Sequence, residues 1–335
     1  MAGENRPRLA PPVQLTPDAP ATDQTGAILD EPHGVHDYQA DPRNADILAS
    51  VNGEMKHRDE ATVSVFDSGY ILGDGVWEGL RVKSGGIAFL PEHMKRLYAG
   101  AKTIDMDIGL TKEEMAKRLF DCLKANEMTD GVHIRLMVTR GIKKTPYQGP
   151  RFTITKPTVV IIPEYKSPVP EVITRGQKLF TAHVRRTGPA EQDQKLNSHS
   201  KLNCILACIQ AEKAGADEAL MLDPAGFVAT CNSTHFFIVR DGEVWTSPPE
   251  YCLGGITRAN IIRVCRENGI PVFEKRFSLF DVYSADEAFI TGTFAGVSPV
   301  REVDGREIAE LNGPVSQKIA GLYQALVNDN LTPIS

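Results

Sequence analysis

Residues 215–227 read GADEALMLDPAGF, a glycine followed by a short apolar run, and the elements on either side decide the fold. Upstream, Leu202, Ile205, Leu206 and Ile209 recur at helical spacing, which predicts a helix ending near Gly215. Downstream, EALMLD, GFVAT and FFIVRDGEVWTS read as strands, with Asp241-Gly242 as a hairpin turn. GGITRANIIRVCRENG (254–269) then places glycines and Thr257 before a helix with a glycine stop. DEAFITGTFAGVSPV (286–300) is a buried strand running into a glycine-rich loop. This half of the chain is α/β.

The first half carries the same alternation. ATVSVFD (61–67) reads as a strand. PEHMKRLYAGAKTI opens with Pro91 in a first turn and repeats Met94, Leu97, Tyr98, Ala101 and Ile104 on one helical face. Thr111 and Glu114 form a capping box for a second helix carrying Met115, Leu119, Cys122 and Leu123. In GVHIRLMVTRG, Val132, Ile134, Leu136 and Val138 point to one side and His133, Arg135, Met137 and Thr139 to the other, so one face is core and the other presents a cation. Prolines and a glycine in KSPVPEVITRGQK interrupt every period and suggest a connection between domains. The first 45 or so residues, rich in Pro, Asp and Ala without an apolar period, cannot build a core and read as an extended arm or tail. The division expected is an arm at 1–48, a small α/β domain at 49–165, a linker at 166–178 and a larger domain at 179–330.

Composition limits the function. The 335 residues are 41% hydrophobic and 24% charged, with a formal net charge of −6, which argues against nucleic acid or an anionic membrane as main partner. The six cysteines include no CxxC pair, and Cys204 and Cys208, one helical turn apart in an apolar run, suggest core packing and not a metal site. No run of ~18 apolar residues and no signal-peptide core is present, so a soluble, cytoplasmic protein with a small-molecule ligand is expected.

Chemistry starts with GGITRANII, because backbone N–H groups at a helix N-terminus reached through glycines can hold a phosphate. A plain glycine turn would look the same. Thr293 in TGTF and Arg96 in EHMKRL are further candidates for such an anion. Two lysines in QDQKLNSHSKLN (192–203), Lys195 and Lys201, could provide an amine that bonds an aldehyde cofactor.

In their order along the chain, EHMKRL, the strand with Ile134-Arg135, Asp193-Gln194-Lys195, GADEALMLD, GGITR and TGTF resemble the class IV aminotransferases, pyridoxal-phosphate enzymes of fold type IV, from about residue 50 to 325. The resemblance is nearest to branched-chain aminotransferases. It implies a two-domain fold with a small α/β sandwich and a larger pseudo-barrel domain, pyridoxal 5′-phosphate between them, and a homodimer. It implies Lys195 as the lysine bonded to the cofactor, and leaves Lys201 as a solvated lysine, a cation near the cofactor's phenolic oxygen, or itself the bonded lysine. Arg96, Ile256, Thr257 and Thr293 would hold the phosphate, and Trp77, Arg81, His133 and Arg135 would line the substrate pocket. Thr230 falls where the family places a Glu against the pyridine nitrogen, and a hydroxyl cannot hold a full positive charge there. The implied reaction moves an amino group from a hydrophobic, branched-chain-like amino acid or amine to a 2-oxo acid. A lyase of the aminodeoxychorismate type, or a cofactor-binding protein without turnover, stays open beside it.

Overall fold

A computed structural model describes residues 34–37 and 40–334, and in it the alternation of VHIRLMVT becomes the centre of a seven-stranded sheet. The first half contains β1 (Leu48–Val51), β2 (Glu54–His57), α1 (Ser68–Leu72), β3 (Gly75–Lys83), β4 (Gly86–Ala88), α2 (Leu90–Thr103), α3 (Lys112–Ala125), β5 (Val132–Thr139) and β6 (Thr158–Tyr165). The second half contains α4 (Pro170–Arg175), β7 (Gln177–Thr181), α5 (Leu202–Lys213), β8 (Glu218–Leu222), β9 (Val228–Cys231), β10 (His235–Arg240), β11 (Glu243–Thr246) and α6 (Ile256–Glu267). It is completed by β12 (Val272–Glu274), α7 (Leu279–Tyr283), β13 (Glu287–Gly292), β14 (Gly296–Val303), β15 (Arg306–Glu307), α8 (Pro314–Asp329) and β16 (Leu331–Pro333).

The first sheet has the order β16-β4-β3-β5-β6-β1-β2. Val132, Ile134, Leu136 and Val138 of β5 are fully buried in one core with Met94 and Leu97 of α2 and Met115, Leu119 and Leu123 of α3. The capping box forms as the sequence predicts, Glu114 N–H donating to Thr111 Oγ1 at 3.1 Å and Thr111 N–H to Glu114 Oε2 at 2.7 Å. Period two then fixes the other face: antiparallel pairing of β3 and β5 sets Arg81 opposite His133, Gly79 opposite Arg135 and Trp77 opposite Met137.

The second sheet runs β12-β11-β10-β13-β14-β7-β8-β9, with β15 on β14, and curls until β9 comes back against β10. This is the half-barrel of the fold. Helix α5 packs on β7 and β8, and α6 packs against α8. After α8 the chain returns to the first half, where β16 pairs with β4 and ties the two sheets together.

Four local expectations change. Residues 61–67 form no strand: Val63, Val65 and Phe66 are exposed, because no neighbouring strand pairs with this segment. The stretch 166–178 holds α4 and the start of β7, so it is a folded part of the second half. Within the expected arm, Val35 is buried and Pro42–Asp46 is a turn of 3₁₀ helix capped by Asp41; residues 1–33 lie outside the described residues. On α5 the buried positions are the small Ala207 and Ala211, whereas Leu202, Ile205 and Leu206 are exposed.

Candidate active site

Between the polar face of β3 and β5 and the strand ends of the half-barrel lies a cavity of about 450 Å³. Arg96, Arg135, Lys166, Arg186 and Lys201 all line it, and no aspartate or glutamate does among the described residues. A pocket of this size lined by cations and apolar side chains suits a small anionic ligand.

One end carries an open helix N-terminus. Helix α6 starts at Ile256 after Gly255, which carries no side-chain cap, so the first N–H groups of the helix are left for a ligand. Gly255 is required by close approach, since an added Cβ would sit 2.2 Å from His235 Cε1. The His235 ring in turn donates from Nε2 to the Leu253 carbonyl at 2.8 Å, which fixes the turn entering the helix. Burial, helped by Arg258, pushes the His235 pKa down to about 3 and keeps the ring neutral. Ile256, Thr257 and Thr293 line this end, as the sequence suggests. Thr291 adds a buried hydroxyl with no partner among the described residues.

Arg96 reaches the same loop. Its Nε and NH2 donate to Glu78 at 2.8 and 2.6 Å and its NH1 to the Gly254 carbonyl at 2.9 Å. Three of the guanidinium's five donors are thereby used and two remain. Glu78 is fully buried on β3 and also accepts from His93 Nδ1 at 2.7 Å. Burial would raise its pKa, but the hydrogen bonds and charge of Arg96, with those of His93, outweigh that and hold the carboxyl below its ordinary value. Glu78 is thus the part that aims Arg96, one that the sequence reading missed.

The two lysines part company here. Lys195 does not line the cavity; its side chain is 52% exposed and faces Asp193 at 3.8 Å. The Asp193-Gln194-Lys195 step is an Asx-type turn, Lys195 N–H donating to Asp193 Oδ1 at 2.9 Å. After it the chain zips onto β3: Trp77 N–H donates to the Asn197 carbonyl at 3.0 Å, Asn197 Nδ2 to the Trp77 carbonyl at 2.7 Å, and His199 N–H to the Gly75 carbonyl at 3.0 Å. This carries Lys201, the residue before α5, into the cavity, where Nζ donates to Asn197 Oδ1 at 3.0 Å and stands 5.3 Å from the Trp77 ring centre. Burial, reinforced by Arg186, Arg96 and Arg135 and opposed by Cys204, lowers its pKa to about 8. The placement read from the sequence is therefore corrected: Lys201 is in the cavity and Lys195 is outside it.

Elsewhere in the lining, Arg135 stacks its guanidinium 3.9 Å over the Trp77 ring. His133 stands edge-on to Phe294, 5.5 Å between ring centres, and burial with the charges of Arg135, Lys166 and Arg81 drives its pKa down to about 3. Arg81 differs from expectation: it is outside this cavity, donating to the Lys166 carbonyl and lying 5.6 Å from the Phe294 ring, so it supports the wall from behind. Thr230, on β9, lines the cavity with its hydroxyl proton given to the Thr234 carbonyl at 2.8 Å. Cys204 and Cys208, expected in the core, also line the cavity. The largest omission is Arg186, 5% exposed, whose NH1 donates to Cys204 Sγ at 2.8 Å while its Nε has no partner among the described residues.

This donor set fits pyridoxal 5′-phosphate, with unfilled N–H and hydroxyl groups for a phosphate at one end and a half-buried amine of low pKa in the same lining. Residues 75–303 match the family model described as amino-transferase class IV, whose cofactor is pyridoxal phosphate. A relative from Methanocaldococcus jannaschii named putative branched-chain-amino-acid aminotransferase is 42% identical over 273 residues, 80% of this chain and 92% of that one. The branched-chain-amino-acid aminotransferase-like protein 2 of Arabidopsis thaliana is 40% identical over 88% of this chain. The chain spans about half the length of that relative, 52%. Among solved structures, the branched-chain aminotransferase from the thermophilic archaeon Thermoproteus uzoniensis with norvaline superposes with a TM-score of 0.78 at 30% identity, covering 87% of this chain and 100% of that one.

Proposed function

The chain belongs to the class IV aminotransferases, and from that membership we propose that it moves an amino group from a hydrophobic, branched-chain-like amino acid or amine to a 2-oxo acid, with Lys201 as the lysine that bonds the cofactor. The observation that carries this reading is the position of Lys201, a half-buried amine with a pKa of about 8 in a cavity without carboxylates among the described residues. Pyridoxal 5′-phosphate, when bound, supplies an aldehyde that condenses with amines and a conjugated ring that draws electrons from the neighbouring carbon.

The rest is work for the chain. The open N-terminus of α6, with Thr257, Thr293 and the two remaining donors of Arg96, would hold the phosphate. Arg135, fixed over Trp77, would orient a carboxylate, while Trp77, Phe294 and Ile205 give a hydrophobic side chain its wall. Lys201 Nζ, half-neutral near pH 8, can take a proton from the substrate α-carbon and return one as acid, which is the pKa range a general base needs. Thr230 would meet the ring nitrogen with a hydroxyl that now donates to Thr234, so it offers hydrogen bonding without charge. A homodimer acting in the cytoplasm belongs to the same proposal; exposed Val63, Val65, Phe66, Tyr70 and Tyr147 supply apolar surface for a second copy, and all six cysteines are free thiols.

The test is an absorbance titration of the cofactor-loaded protein with L-leucine, D-alanine and an R-configured aryl amine in turn. Conversion to the pyridoxamine form by one donor supports the proposal and gives its handedness. Release of pyruvate without an acceptor would replace it by the lyase reading, and binding without spectral change by that of an inert binder.

A further inference from the structure

Composition assigns residues 1–48 to an arm outside both halves, yet Gly34–Asp37 packs on the second half and brings His36 into the lining of the cavity. Val35 is 3% exposed and sits in the core of the second sheet with Leu179, Leu220 and Ile290. Gly34 passes so close to the chain before β8 that an added Cβ would be 2.9 Å from the Asp217 carbonyl oxygen. The turn closes on itself through Asp37 N–H to the Gly34 carbonyl at 3.0 Å and Gly34 N–H to Asp37 Oδ2 at 3.2 Å. One apolar anchor thereby fixes where the next residue points.

That residue is His36, which lines the cavity with Nε2 2.8 Å from Ser233 Oγ. Ser233 gives its only hydroxyl proton to Glu218 Oε1 at 2.6 Å, so in the contact with His36 it can only accept, and Nε2 carries the hydrogen. Glu218 is itself buried and also accepts from the N–H groups of Ser233 and Thr234 and from Thr234 Oγ1. The ring is therefore held by a partner that is immobile. Its free edge is open to the cavity, and the residue is exposed, which places it at the cavity's mouth. Desolvation by the protein atoms around the ring, with Lys166 and Arg135 adding to it and Glu218 and Asp37 opposing, lowers its pKa and favours a neutral ring among cations. His36, His133 and Phe294 are three rings at one end of the site.

We propose that His36 is a specificity-determining residue, a side wall supplied by the N-terminal segment that limits the bulk of the substrate side chain the cavity accepts. This rests on the aminotransferase reading given above. A neutral ring fixed at one edge restricts size and adds no charge, and changes on the scale of a methylene in such a wall alter discrimination by roughly 10–200-fold.

The experiment uses the full chain loaded with cofactor and compares kcat/KM for alanine, leucine and phenylalanine of the accepted handedness. His36→Ala should raise the phenylalanine-to-alanine ratio by about tenfold or more. His36→Gln, which keeps a donor for Ser233 and much of the bulk, should hold that ratio within about threefold. Ser233→Ala, which releases the ring without removing it, should move it in the same direction as His36→Ala but less. In parallel, calorimetric affinities for small and bulky carboxylic acids should follow the same order. His36→Ala scaling all donors equally, as a purely structural residue would, overturns the proposal, and so does an equal shift by Ala and Gln. If the unaltered protein turns over no donor, the aminotransferase reading fails, and the acid affinities still decide whether His36 is a wall.

Discussion

Replacing Lys201 with methionine in the cofactor-free protein should change stability in a way that depends on pH. The lysine's pKa falls from 10.5 to about 8 in the folded chain, and at 1.36 kcal/mol per unit this is a penalty of roughly 3 kcal/mol for holding the charge. The folded-state value lies below the unfolded one, so between about 8 and 10.5 the unfolded chain binds more protons and stability rises with pH through that window. Below pH 8 the penalty is fully present; above 10.5 it is gone. Methionine has no charge to bury, but it loses the bond to Asn197 Oδ1, worth about 1 kcal/mol at any pH. Lys201→Met should therefore be more stable than the unaltered protein by about 2 kcal/mol at pH 7 and less stable by about 1 kcal/mol near pH 10.5. Paired urea titrations at both pH values measure this, and contributions from other groups cancel in the difference. A gap between the two proteins that does not vary with pH would refute the argument, because it would mean that Lys201 is not desolvated.

Other consequences follow from the same geometry. Lys201→Ala should abolish the absorbance of lysine-bonded cofactor while Lys195→Ala keeps it, and a spectrum lost with Lys195 instead would return the role to that residue. Glu78→Gln removes the charge that aims Arg96 and leaves that half-buried guanidinium beside a neutral group; urea unfolding should show a loss of about 3 kcal/mol and dialysis a weaker hold on the cofactor. Because the Glu78 pKa is depressed in the folded chain, its contribution is present at neutral pH and lost as pH falls through that lowered value. Thr230→Glu should move the absorbance band of the bound cofactor, and an unchanged band would show that Thr230 does not face the ring.

What the sequence revealed depended on range. The strand at 132–139, the helix face of Met94 and Leu97, and the capping box of Thr111 and Glu114 rest on neighbours within a few residues, and all are found. The start of α6 was legible for the same reason, since GGIT carries its own helix signal. Choosing between Lys195 and Lys201 required knowing that Asn197 is bonded to Trp77, 120 positions away, and no count along the loop contains that. ATVSVFD has the alternation of a strand without a partner strand. His36 was hidden differently: its anchor is the single buried Val35 in a stretch with no apolar period. Arg186 had no signal of its own, because an arginine beside another in VRRTG reads as surface.

The charge of the cavity ties these residues together. Arg96, Arg135, Lys166, Arg186 and Lys201 face it and no carboxylate does among the described residues; Glu78 meets Arg96 from outside the lining. A lining of this charge favours anions, since cations taken out of water are stabilised by opposite charge. A phosphate at the start of α6 and a carboxylate at Arg135 would supply it, so ligand binding completes the electrostatics of the fold. The same arrangement explains why a threonine is compatible with position 230. Were Thr230 to face the ring nitrogen as proposed, a protonated nitrogen would add one more positive charge among these cations, and a hydroxyl turning its proton from Thr234 to the nitrogen would leave the ring neutral. The cations thus help to lower the Lys201 pKa, and under the proposed function the same charges would hold the anions of a bound ligand.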